Sequence, residues 1–201
     1  MPIKNLIFDL GGVIYEINYQ NVTKKLQALS PDIHFSQLQQ DPIFDEFEIG
    51  KITPDEFRKS IRMTAKVPNL TDHEIDEIWN SMLIGIFPKR LNLIKKLSQK
   101  YPIVLLSNAN QIHYDYILEE CTPIFEFMKK TYFSFKIGKR KPHPETFQYV
   151  LNDTGFKPEE TLFIEDTIIH IEGAKTVGLH TLHLTKPLEL EIELQQILGE
   201  F

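Results

Sequence analysis

The chain has one cysteine, Cys121, so it cannot close an internal disulfide, which suits a reducing cytoplasm. No apolar run approaches the ~20 residues of a membrane helix. The opening residues offer too short an apolar stretch, and no small-residue cleavage site, for a secretory signal. Positive charge is not in excess: 22 basic residues stand against 28 acidic ones, net −6. That balance argues against nucleic acid or an anionic membrane as the main partner, yet allows a small anionic substrate in a locally positive site. Low-complexity segments and internal repeats are absent. The pair Gly11-Gly12 lacks the third glycine of a dinucleotide fingerprint, and its use is close backbone approach to a phosphate. Seven histidines form no zinc pattern. His180 and His183 lie three apart on an expected strand, so they face opposite ways, one toward the core and one toward solvent. Cys121 has no basic neighbour at helical spacing to activate it.

What is present is the composition of an ordinary soluble domain, 42% hydrophobic and 25% charged over 201 residues, enough for one core carrying a modest insertion. Three zones follow in order. A short apolar strand over 3–8 comes first, as for a strand buried on both faces. Residues 15–87 read as wholly helical: Val22, Leu26 and Leu29 recur at helical spacing. Thr53-Pro54-Asp55-Glu56 gives an N-cap, a proline at the first helical position and two acids, and Thr71-Asp72-His73-Glu74 is a capping box. Phe57, Ile61, Trp79 and Met82 read as packing. The remainder alternates. Strands are expected at 103–106, 132–135, 161–164 and 181–184, with helices at 89–100, 112–119, 144–152, 171–177 and 188–198.

Alternating strands and helices imply an α/β fold, a Rossmann-like doubly wound parallel sheet with helices on both faces. The first strand belongs with those after residue 100. The core is therefore 1–14 plus 88–201, and 15–87 is a small helical domain inserted after the first strand. In such sheets the site lies beyond the carboxyl ends of the strands. Those ends carry Asp9, then Ser107-Asn108, then Glu165-Asp166, with Lys139-Arg140-Lys141-Pro142 before one helix. Three acids at one sheet edge repel unless a cation neutralises them, and oxygen-only ligands suit Mg²⁺. A lysine and a serine can hold the rest of a phosphate. A carboxylate such as Asp9 can then attack phosphorus and form an aspartyl-phosphate that water hydrolyses.

The ordered motifs Phe8-Asp9-Leu10-Gly11-Gly12-Val13, Leu106-Ser107-Asn108-Ala109-Asn110, Arg140-Lys141-Pro142 and Glu165-Asp166, with Ile171-Glu172-Gly173-Ala174 after them, resemble the haloacid dehalogenase (HAD) superfamily over essentially the whole chain. They look closest to its sugar-phosphate phosphatases of the α-glucose-1-phosphate type and to the phosphatase half of soluble epoxide hydrolases. The resemblance implies a cytoplasmic phosphatase, monomer or weak homodimer, acting on a small phosphorylated metabolite. It makes Asp9 the nucleophile and a Mg²⁺ ligand, with the Gly11 carbonyl, Asp166 and Glu165 completing the metal site. It gives phosphate binding to Ser107, Asn108, Lys141 and the backbone of Leu10 and Gly11, with Lys141 also neutralising Asp9. Lys139 and Arg140 read as surface residues. The loop at Glu48 to Lys51 resembles the family's substrate-facing loop. Two departures stand out. The general-acid aspartate two residues after the nucleophile is replaced by Gly11, and Ile169 and His170 stand where further Asp or Asn is common. Gly11 keeps two alternatives open. One is a dehalogenase, whose halide leaves without a proton, and the other is a catalytically weak phosphometabolite-binding protein. A phosphomutase, which needs the missing acid, is disfavoured.

Overall fold

The computed structural model describes residues 2–36 and 40–201. Five parallel strands, β1 (Asn5–Phe8), β4 (Ile103–Ser107), β5 (Lys130–Phe133), β6 (Thr161–Glu165) and β7 (His180–His183), form one sheet in the order β5-β4-β1-β6-β7. The order reverses at β1, so the expected doubly wound α/β core is the one found, and the carboxyl ends of β1, β4 and β6 lie side by side.

Side-chain alternation explains the layers. Leu6 and Phe8 of β1 face a cluster built with α5 (Arg90–Ser98), α6 (Gln111–Phe125) and α10 (Leu190–Leu198), through residues such as Ile94, Ile117 and Leu194. Ile7 faces the other way, with Val104 and Phe163, onto Phe147 and Val150 of α8 (Pro144–Thr154) and Ala174 of α9 (Ile168–Thr176). The short α7 (Ser134–Ile137) follows β5. Among the described residues no helix is long and apolar enough to cross a membrane.

The inserted stretch is not wholly helical. Its two ends, β2 (Tyr15–Ile17) and β3 (Leu83–Ile86), pair antiparallel into a two-stranded ribbon. These strands are three and four residues long, too short to show a period of two, and the pairing of distant segments stabilises them. Between them lie α1 (Tyr19–Leu29), α2 (Pro42–Glu48), α3 (Pro54–Ala65) and α4 (Asp72–Asn80). Both expected capping boxes form: Thr53 with Glu56, and Thr71 with Glu74. The four helices bury their own aromatic cluster, in which Phe44 stacks on Trp79 with ring centroids 5.2 Å apart and Phe47 stacks on Phe57 at 4.4 Å. The expected helix at 112–119 continues to Phe125, through Pro123, because Cys121 and Ile124 on its inner face are fully buried.

A polar stacking contact lies where α6 meets the aromatic cluster. His113 of α6 stacks on Trp79, its Nε2 lies 3.2 Å from the Trp79 carbonyl, and its Nδ1 lies 3.1 Å from the Asn110 amide nitrogen. These partners suit a neutral ring that donates from Nε2 and accepts at Nδ1. Burial pushes the pKa of His113 down from 6.5 to about 4. Between those values the unfolded chain binds a proton that the folded one refuses, so stability is full above about pH 6.5 and falls as pH drops toward 4. Urea unfolding at pH 7 and pH 4.5 should show the wild type losing about 2–3 kcal/mol more than His113→Asn over that interval. An equal loss in both proteins would refute the neutral buried ring.

Candidate functional site

Each strand at the switch point delivers polar side chains. Asp9 follows β1, its backbone N–H held 2.9 Å from the Ile164 carbonyl. Glu165 ends β6 and Asp166 follows it, and Ser107 ends β4. Lys141 comes from the loop before α8, next to a cis peptide to Pro142. The Asn108 side chain clasps that loop: its Oδ1 accepts from the Lys141 N–H at 2.9 Å and its Nδ2 donates to the Lys141 carbonyl at 3.0 Å.

Lys141 is fully buried, with its Nζ 2.8 Å from Asp9 Oδ1 and 2.5 Å from Glu165 Oε2. Burial works against its charge, and Asp9 and Glu165 outweigh burial, so its pKa is raised. Glu165 is spent on scaffolding. One oxygen meets Lys141, and the other accepts the backbone N–H groups of Asp166 and Thr167 at 3.1 and 3.0 Å. Burial pushes the Glu165 carboxyl up, but Lys141 and His170 reverse that and hold it ionised. Asp9 goes the other way: burial, then the Glu165 charge, raise it despite Lys141. Asp166 is pushed up to about 7 by burial and by Glu165.

Oxygen atoms of Asp9, Glu165 and Asp166 all lie within 4.8 Å of one another. Three carboxylates beside one ammonium make an oxygen-only donor set with excess negative charge, and such a set fits a hard divalent cation. Gly12 permits this geometry. Its φ is +71°, and a Cβ there would run into the Asp166 carboxylate, well inside van der Waals contact.

Residues 3–178 match the haloacid dehalogenase-like hydrolases. The chain belongs to this family. A relative, the D-ribitol-5-phosphate phosphatase of Bacteroides thetaiotaomicron, is 31% identical over 98% of this chain and 99% of its own. The sesquiterpene phosphatase AstK of Aspergillus oryzae is 27% identical over 98% and 97%. Among solved structures, a mutant HAD-family enzyme from Bacteroides thetaiotaomicron, in complex with magnesium and inorganic phosphate, is 35% identical. It superposes with a TM-score of 0.83 over 90% of this chain and 93% of that one.

The structure brings together Asp9, Ser107, Asn108, Lys141 and Asp166, which line one small cavity of about 70 Å³ with Leu10 and Gly11, while Glu165 lies buried against Lys141. Beside it, a larger cavity of about 400 Å³ faces the helical segment. Arg140 is not a free surface residue. It is half-buried, paired with Asp45 and with Glu48 Oε2 at 2.9 Å, and so ties the loop before α8 to α2. Glu48 lines the larger cavity, while Lys51 is exposed and pairs with Glu46. His180 is exposed and His183 half-buried, so neither is a core residue; His183 Nε2 lies 2.9 Å from the Asp166 carbonyl. Cys121 is buried, and burial pushes its thiol up to about 12, so it stays unreactive. Sequence reasoning missed Ser134. Its hydroxyl accepts from the Ala109 N–H at 2.9 Å and reaches the Glu48 carbonyl at 2.5 Å, linking the loop after β4 to the end of α2.

Two alanine variants separate backbone strain from the close approach at Gly12. Gly155 has φ +73° with open space around its Cβ position. Gly155→Ala should cost only the price of a left-handed alanine, about 1 kcal/mol. Gly12→Ala should cost clearly more, because the Asp166 carboxylate must also move. Equal losses in chemical denaturation would contradict the tight Gly12–Asp166 packing.

Proposed function

We propose that this protein is a Mg²⁺-dependent phosphatase of small phosphorylated metabolites, sugar or sugar-alcohol phosphates, working through an aspartyl-phosphate on Asp9. The convergence of Asp9, Glu165 and Asp166 around the buried Lys141 carries the reading. The metal would be held by Asp9, Asp166 and the Gly11 carbonyl, with Glu165 behind them, and when bound it supplies positive charge to the transferring phosphoryl group. Lys141 orients the Asp9 carboxylate and neutralises phosphate charge. Ser107 and the backbone N–H groups of Asn108, Leu10 and Gly11 bind the phosphate oxygens. Asp9 attacks phosphorus in line, and water then opens the acyl phosphate. In this reading residues 1–14 and 88–201 are the catalytic core and 15–87 is a cap that shields the reaction from bulk water. The single buried thiol suits a cytoplasmic setting.

The larger cavity supports this substrate class. Ser36, Gln40, Asp45, Glu48, Arg140 and His143 line it beside Phe35, Trp79 and Met82. Such a wall offers hydrogen bonds to several hydroxyls and an apolar face to carbons. A dehalogenase is the second reading, favoured by Gly11 alone, and the acid cluster at Glu165-Asp166 speaks against it.

The test is phosphate release from sugar phosphates, sugar-alcohol phosphates including D-ribitol 5-phosphate, nucleotides and p-nitrophenyl phosphate. Wild type should be active with Mg²⁺ and silent with chelator, and re-added Mg²⁺ should restore the rate. Asp9→Asn should lose about 10³-fold or more in kcat while remaining folded. Chloride release from a 2-chloro acid in the presence of chelator would instead establish the dehalogenase. Silence of folded protein across both panels would leave a binding protein.

A further inference from the structure

The loss of a general acid at Gly11 leaves the leaving group's proton unassigned, and the structure fills that position with hydrocarbon. A Cβ on Gly11 would collide with Ile17 Cδ1 from β2. The donor must therefore come from another element, and the phosphatase reading puts the ester oxygen at the junction between the small cavity and the larger one.

The polar side chains that line both cavities are Tyr19, Asn108, His113, Thr167 and His170. Four of them are committed. Both ends of the Asn108 amide clasp Lys141. Both ring nitrogens of His113 are taken by Asn110 and Trp79. The Thr167 hydroxyl donates to Asp166 at 3.0 Å. The His170 ring turns its Nδ1 to the Glu165 carboxylate, 3.0 Å from Oε2.

Tyr19 is different. It opens α1 directly after the ribbon strand that covers Gly11. The Asn18 N–H to the Met82 carbonyl at 2.8 Å and the Thr23 hydroxyl to the Tyr19 carbonyl at 2.8 Å fix its backbone. Its ring lies 6.2 Å from that of Phe35, and among the described residues its hydroxyl bonds to no protein group. Burial, then the charges of Asp166, Asp9, Glu48 and Glu165, raise its pKa, so the phenol keeps its proton at neutral pH.

We propose that the Tyr19 hydroxyl is the catalytic proton donor to the leaving alcohol, in place of a carboxylic acid at position 11. The assignment rests on the phosphatase reading above. As Asp9 attacks, the bond from phosphorus to the ester oxygen breaks with its electron pair on oxygen, and that oxygen takes the Tyr19 proton. An alkoxide is a stronger base than a phenolate, so the transfer is downhill. The water that opens the aspartyl-phosphate gives one proton back to the phenolate and keeps the other, leaving hydrogen phosphate, a free Asp9 carboxylate and neutral Tyr19.

Leaving-group dependence tests this. Wild type and Tyr19→Phe are assayed with Mg²⁺ on the best alkyl phosphate of the panel and on p-nitrophenyl phosphate, whose leaving group departs without a proton. The variant should lose about 100-fold in kcat on the alkyl ester and less than about 3-fold on the aryl ester. Equal losses on both, or no loss on either, overturn the assignment. Should Tyr19→Phe fail to fold, 3-fluorotyrosine placed at position 19, a near-isosteric and stronger acid, should raise the alkyl rate relative to the aryl one, and an unchanged ratio overturns it. An active wild type with an unchanged ratio removes Tyr19 alone. A wild type silent on both esters removes the phosphatase reading and this proposal with it.

Discussion

The arrangement of this site turns on a buried ammonium. Lys141 is fully enclosed, and an ammonium out of water costs several kcal/mol unless good partners surround it. Those partners arrive from two adjacent strands, Asp9 from β1 and Glu165 from β6, so the neighbour relation of β1 and β6 is also an electrostatic requirement. Removing either partner would strand charge in the interior, at about 3–5 kcal/mol. The loop that presents Lys141 is held from both sides. Asn108 clasps its backbone, and α9 packs against Pro142 so closely that a Cβ on Gly173 would collide with the Pro142 carbonyl. Apolar residues would pack such a place more cheaply. Keeping a lysine and three acids there is a cost that the proposed chemistry explains.

The same loop connects the sheet edge to the helical segment. Arg140, one residue before Lys141, pairs with Asp45 and Glu48, and Ser134 reaches the Glu48 carbonyl. Gly50, with φ +68°, lies so close to the Phe135 carbonyl that only glycine fits without displacement. On the opposite side Trp79 stacks on His113. The larger cavity lies between these two attachments, lined by residues of both parts of the chain. Its polar lining is therefore set by the same pairs that hold the two parts together, and a change at Arg140 or Glu48 alters docking and cavity chemistry at once.

How much of this is legible in the sequence depends on the range of the interaction. The sheet strands are read correctly because double-sided burial demands continuous apolar runs, as in Leu6-Ile7-Phe8 and Val104-Leu105-Leu106. The capped helices are read because a capping box spans only three residues. The convergence of Asp9, Ser107, Lys141 and Glu165-Asp166 is read because open α/β topology puts strand ends together. The ribbon of β2 and β3 is missed, since its strands exist only by pairing across the whole inserted segment. Arg140 is misread because a basic run carries no mark of its acidic partner 95 residues away. The Asn108 clasp on Lys141 was equally invisible: a loop asparagine looks the same whether it binds phosphate by its backbone or holds a lysine by its side chain.

The misread ribbon is also what gives Gly11 its meaning. In sequence Gly11 is a lost carboxylic acid. In the structure the end of the Ile17 side chain, from β2, occupies the space that a Cβ at position 11 would need, so an acid there would have to displace that side chain. In the proposed reading the sheet edge supplies carboxylates, lysine and backbone N–H groups to the phosphate side, and hydrocarbon lies toward the leaving group. Polar contact with the leaving group then falls to side chains of the helical segment and of the loops that meet it. In such a design the phosphate chemistry belongs to the sheet, while substrate choice and proton supply can vary with the inserted helices without disturbing the buried lysine.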